Sequence, residues 1–204
     1  MRHAGVLPMS EKENEKEFRE KLVKVLREEL GPGYSVKEKV NLIYWVMIDR
    51  NLEYRPRDPK NPRKDMRKGE YAFQADIAVG EERNGGFLPL VVIEVKYGGF
   101  HTHAVLAYSE KALKHKAIYP YVRYGLVDGG EDYIPLKFFV HNVGLDFAIA
   151  IKNLDDRNER QLLVNTVKEQ IEVARNLLDV FEGRKVKAFV ARTLIQWSGR
   201  ALIQ

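Results

Sequence analysis

The sequence predicts one α/β domain in the order helix, three-strand meander, helix, strand, followed by further strands and a long helix. Three observations predict it. Residues Glu11 to Leu30 carry Phe18, Leu22, Val25, Leu26 and Leu30 at helical spacing, with Glu, Lys and Arg on the other faces. Two extended runs, YAFQADIAVG and FLPLVVIEVKY, lie on either side of a short turn at Glu81–Gly86. A second helical stripe, Leu163, Val167, Ile171, Ala174, Leu178 and Phe181, occupies Asp156 to Glu182. With 204 residues, 45% of them hydrophobic, the chain can bury one substantial core.

The elements follow in order. Ser10 and Glu13 form a capping box for the first helix, and Gly31-Pro32-Gly33 stops it. Tyr34 to Ile48 reads as a strand. Its faces are both apolar toward the end, which predicts a central, covered position. Asp49 to Gly69 contains Pro56, Pro59 and Pro62 and is predicted as a loop. The hairpin comes next, ended by Gly98-Gly99. A helix runs from Thr102 or His103 to about Tyr119, with Leu106, Leu113 and Ala117 facing inward. Val122 to Val127 is a strand closed by Asp128-Gly129-Gly130, and Leu136–Val140 and Phe147–Ile151 are strand-like. Asp156 and Glu159 form a capping box for the long helix, Gly183 caps its other end, and Val186 to Ile195 reads as a last strand. The domain is expected to divide into a core over 11–128 and an elaboration over 129–204 that serves recognition or dimerisation.

Composition removes several functions. No apolar run approaches 18 residues, so no membrane span is expected, and the first residues lack the apolar stretch of a signal peptide. A cytoplasmic location is the expectation. The absence of cysteine excludes disulfides, thiolate zinc sites and iron–sulfur clusters. His101, His103 and His115 match no zinc spacing.

The hairpin is where charge meets apolar strand. Asp76 lies on the first strand, and Glu94 and Lys96 on the second. Side chains alternate across a strand, so Glu94 and Lys96 share a face with Val95 behind them, and hairpin pairing brings Asp76 opposite. Two carboxylates and an amine then converge on an apolar sheet. That costs desolvation energy unless the charges pair or hold a metal ion. The bland reading is a cross-strand salt bridge from Lys96 to Asp76 or Glu94.

The residues Asp76 and Glu94-Val95-Lys96, in this order of elements, resemble the PD-(D/E)XK nuclease superfamily, with Ala75 standing where the family name has Pro. The resemblance covers about Glu11 to Asp128. It implies a restriction-endonuclease-like core and a metal-dependent DNA endonuclease. It also implies that Asp76, Glu94 and the main-chain carbonyl of Val95 bind one or two Mg²⁺, with Mn²⁺ as a substitute. Lys96 would orient or deprotonate the attacking water. A further carboxylate from the first helix is a family feature; Glu15 lies on the face of Phe18 and Leu22, with Glu11 and Glu20 as alternatives. Gln74 shares the face of Asp76 and is a candidate to hold a metal-bound water.

The formal charge is +5. From Arg55 to Lys68, seven basic residues stand against Asp58 and Asp65, a local excess equal to that of the whole chain. Arg63, Lys64, Arg67 and Lys68 are therefore the expected phosphate contacts, joined by His101 and His103 at the strand end and by Lys114 and Arg123 in a second basic, aromatic-rich stretch. The expected partner is double-stranded DNA. Restriction-type cutting of both strands requires a homodimer, since each chain carries one catalytic set, and such an enzyme has a cognate DNA methyltransferase for the same site. The competing readings are a structure-selective repair or junction-resolving nuclease and a non-catalytic nucleic-acid-binding protein.

Overall fold

The computed structural model describes residues 11–57 and 70–198. Helix α1 (Glu11–Leu30) is followed by β1 (Ser35–Ile43), a small hairpin of β2 (Met47–Ile48) and β3 (Tyr54–Arg55), and the long hairpin β4 (Ala72–Arg83) and β5 (Gly86–Tyr97). Helix α2 (Thr102–Ile118) leads to β6 (Arg123–Gly129). Helix α3 (Leu136–His141), β7 (Phe147–Ile151) and α4 (Arg157–Phe181) complete the chain. The main sheet is mixed, in the order β1-β4-β5-β6-β7. β1, β4 and β5 are antiparallel neighbours, and β5, β6 and β7 run parallel. Among the described residues no helix is long and apolar enough to cross a membrane.

The α1 boundaries match the sequence reading, and its expected stripe is buried. Gly31, at φ +79°, turns the chain away. Its proposed cap lies outside the described side chains. The β4–β5 turn is two residues, Asn84 and Gly85, both at positive φ (+51° and +75°). This turn matches the right-handed twist of the paired strands, so β4 runs on to Arg83 and β5 starts at Gly86, both within the expected turn Glu81–Gly86.

Three expectations are corrected. The segment Tyr34 to Ile48 is not a central strand. It ends at Ile43 and forms the sheet edge, paired only with β4. Its later apolar residues do not face a second layer: Trp45 and Ile48 are 47% and 57% exposed. Tyr44 stacks on Phe73 and Trp45 on Tyr71 instead. Leu136–Val140 is helical. Its β-branched and aromatic content suggested a strand, but Pro135 stands at the N-cap, and only Phe138 of this short helix is buried. Val186 to Ile195 has no regular structure and is exposed, because no strand lies alongside to satisfy its backbone.

The buried face of α2 is also rotated from the expected one. Val105, Ser109, Ala112 and His115 point inward, while Leu106 and Leu113 are 47% and 43% exposed and Ala117 is exposed. The sheet beneath this helix carries polar groups, so polar side chains turn toward it. In α4, Asp156 caps the helix by accepting from the Asn158 and Glu159 amides. Glu159 reaches Asn153 N–H rather than Asp156, so the reciprocal half of the capping box is not made. Leu163, Val167, Ile171, Ala174 and Leu178 of the α4 stripe pack into the same core as α1, and β7 extends the sheet. Phe181, expected on that stripe, is exposed at the helix end, where no described element covers it.

Gly80 sits at a register shift between β4 and β5, where a methyl group would run into the Leu88 carbonyl. Backbone cannot step aside as a side chain can. Gly80→Ala is expected to lower stability by about 1–3 kcal/mol in denaturant titrations. Gly85→Asn, in open space and in a turn that tolerates it, should cost less.

Candidate functional site

The β4–β5 register, with Ile77 opposite Ile93, carries Asp76 to the position facing Glu94. Paired register ends there. The Val95 N–H donates to Asp76 Oδ2 at 3.0 Å, where strand pairing would have used a backbone carbonyl. On its other side β5 stays paired to β6 as far as Tyr97 and Gly129. The two strands thus part at the acidic pair and leave a notch in the sheet edge.

Glu94 is 2% exposed. Its Oε1 accepts from Lys111 Nζ at 2.7 Å and from the Tyr124 hydroxyl at 2.5 Å. Lys111, from α2, also donates to the Gln74 carbonyl at 2.6 Å and so joins the two parted strands. Burial, with the nearby Asp76 charge, pushes the Glu94 carboxyl up to about 7, although Lys111 and Tyr124 pull it down. The hydrogen bonds fall on one oxygen of each carboxylate.

Lys96 makes neither of the bridges that its strand neighbours offered. Its Nζ meets Glu15 Oε2 of α1 at 2.9 Å. Burial works against the ammonium, but Glu15 and Tyr108 outweigh it and hold its pKa above the usual value. Tyr108, from α2, is pushed up to about 12 by burial. Next to Lys96 in the parallel register lies Asp128, which is fully buried. Its Oδ1 accepts from Gly99 N–H at 3.2 Å, and burial pushes the acid up to about 6. A cleft of about 580 Å³ opens beside these groups, lined by Glu15, Lys96, Asp128, His101, Glu131, Tyr133 and Lys137 among others.

The structure therefore brings together Asp76, Glu94, Lys96 and Glu15. His101 is exposed at the α2 N-cap and lines the cleft, and His103 is exposed close by. Lys114 lies on the outer surface over the Tyr44 and Phe73 rings, paired with Glu110 at 3.7 Å. Arg123 is not displayed for a ligand. Its guanidinium is held by Asp146 at 3.0 Å and Gln170 at 2.9 Å. The Gln74 amide donates to the Lys39 carbonyl. Glu20 pairs with Lys16 on an exposed helix face, and the Glu11 side chain lies outside the described residues. Arg63, Lys64, Arg67 and Lys68 also lie outside them.

Sequence reading missed Lys111, Tyr124, Tyr108 and Asp128 as members of this site. The signal for two of them was Tyr108, Lys111 and His115, a stripe at spacings of three and four on α2. No protein-family model matches the chain, and no curated protein matches it.

The donor set fits a hard cation. Two carboxylates face each other, each tied through one oxygen, beside a β5 main chain that is no longer paired to β4. Among the described residues no group of three or more His, Asp or Glu is arranged to hold a metal ion.

Proposed function

We propose that the protein is a Mg²⁺-dependent DNA endonuclease of the PD-(D/E)XK type. One observation carries this reading. Asp76 and Glu94 face each other where β4 and β5 part, with Lys96 on the same strand face as Glu94 and held by Glu15. The α1, β1-β4-β5 meander, α2, β6 order, with both acids on the second and third strands of that meander, supports the reading, because the resemblance implies the same order.

Asp76 and Glu94, with the Val95 carbonyl, would hold Mg²⁺. The ion, when bound, lowers the pKa of its water and offsets charge at phosphorus. Lys111 and Tyr124 fix Glu94, and the Val95 amide fixes Asp76, so both acids are pre-oriented. Lys96, steadied by Glu15 and Tyr108, donates to the attacking water or the developing phosphorane oxygen. The cleft beside Lys96 receives the nucleotide next to the scissile phosphate.

The particular reading is restriction-type cleavage of double-stranded DNA by a homodimer, with a DNA methyltransferase as companion. Among the described residues, the β2–β3 hairpin, the exposed apolar face of α3 and the exposed 184–198 segment are candidates for recognition and pairing, since β7 and most of the α4 stripe belong to the common core. Incubation of the purified protein with plasmid DNA and Mg²⁺ tests this. Discrete fragments are expected. Nicked circles as the end product would favour a structure-selective enzyme, and intact DNA with both Mg²⁺ and Mn²⁺ would overturn the reading.

A further inference from the structure

We infer that the Lys111 ammonium stands in the place of a second divalent cation, so that each site takes a single metal ion. The inference rests on the metal-site reading above and specifies it. Three observations carry it.

Lys111 Nζ lies 2.7 Å from Glu94 Oε1 and 2.6 Å from the Gln74 carbonyl. Those are hard oxygen donors, one carboxylate and one main chain, of the kind a divalent ion takes. The ammonium already occupies them, and its side chain is only 17% exposed. A second ion there would have to expel a largely buried cation from its carboxylate, leaving two like charges side by side.

The remaining donors suffice for one ion. Glu94 keeps Oε2 and Asp76 keeps Oδ1, since their hydrogen bonds fall on Glu94 Oε1 and Asp76 Oδ2. Of the nearby acids, Glu15 neutralises Lys96. Asp128, which fastens the Gly99 amide through Oδ1 and keeps an unpartnered Oδ2, lies beside Lys96 and not beside Lys111 in the sheet register.

The charge balance agrees. Metal binding requires both acids ionised; Asp76 and Glu94 then carry two negative charges, of which Lys111 offsets one. One divalent ion turns the notch positive, as a phosphate-binding site requires, and a second would meet an already positive field. Lys111 is thus a positioning residue that works through Glu94 and sets the metal count.

The test is to count ions on the full chain, with no DNA present, using Mn²⁺ alone with electron paramagnetic resonance and Ca²⁺ alone with calorimetry. The wild type is expected to bind one ion per chain, and Asp76→Asn to lose it. Lys111→Met, which removes the ammonium from Glu94 Oε1 and from the Gln74 carbonyl, is expected to bind two. Lys111→Arg, which keeps the charge, is expected to bind one. Should Lys111→Met fail to fold, Lys111→Gln makes the same comparison, and the wild-type count stands by itself. Two ions on the wild type, or one on a folded Lys111→Met or Lys111→Gln, would overturn the inference while leaving the nuclease reading in place. No ion on either the wild type or a folded Lys111 variant would overturn both.

Discussion

Asp76→Asn, Glu94→Gln and Lys96→Met are each expected to slow DNA cleavage by at least ~10²–10³, the loss that follows removal of one well-placed transition-state contact of about 3–4 kcal/mol. The three substitutions keep shape and remove charge, which the structure makes necessary at Glu94. An alanine there would leave the Lys111 ammonium and the Tyr124 hydroxyl without their acceptor in a buried place. Breaking such a pair costs about 3–5 kcal/mol of stability, so lost activity in Glu94→Ala would not separate chemistry from unfolding. Lys96 is partly exposed, and its replacement frees Glu15 and the Tyr108 hydroxyl, both nearer to solvent than Glu94. DNA binding measured in Ca²⁺ should survive in all three. Plasmid cleavage under single-turnover conditions, with a thermal melt of each variant, is the measurement. Undiminished cleavage by Glu94→Gln, or by the wild type in a chelator, would remove these residues from the chemistry.

Acidification should expose His115 as a buried neutral imidazole. It has no exposed surface, one ring nitrogen lies 3.2 Å from the Leu42 carbonyl, and it packs against Tyr124 and Phe73. Burial, then the Lys111 charge, pushes it down to about 4 from its ordinary 6.5. The unfolded chain therefore takes up this proton near pH 6.5, and the folded chain does so only near pH 4. Between those values the unfolded state holds more protons, so stability falls as pH falls, and it is fully retained above pH 6.5. The span corresponds to about 3 kcal/mol at most. Glu94 and Asp128, both raised, act with the opposite slope. The quantity to measure is thus the difference between wild type and His115→Phe in urea titrations from pH 4 to 8. His115→Phe should be the less stable protein at pH 7.5, where it lacks the Leu42 bond, and should gain on the wild type steadily below pH 6.5. A pH-independent difference would mean that the histidine titrates alike in both states.

Much of this molecule was legible before any coordinates. The Phe18-to-Leu30 stripe located α1 at its true bounds, and the stripe after Asp156 located α4, because an apolar face with period 3.6 has few other uses. Alternation along β5 was enough to put Glu94 and Lys96 on one face, since strand geometry alone decides that. Asp76 faces them only because the register shift at Val79/Gly80 sets Ile77 opposite Ile93, which the sequence did not show. An acid on α1 was implied only by the family resemblance, and helical periodicity carried back along α1 favoured Glu15 over Glu11 and Glu20.

What the sequence could not supply is which groups pair once elements meet. Whether Lys96 bridges to Asp76, to Glu94 or to Glu15 depends on how α1 lies over the sheet end, and only packing decides it. Lys111 lay in a basic stretch indistinguishable from solvated surface until α2 was seen to turn its polar stripe toward Glu94. The same inversion hid His115 and exposed Leu106 and Leu113, because an apolar-inward rule fails where the sheet beneath is polar. Asp128 read as the start of a turn and is instead a buried strand residue beside Lys96. Local periodicity assigns a residue to a face; the partner that makes its burial affordable comes from a distant part of the chain, and only the tertiary structure brings it there.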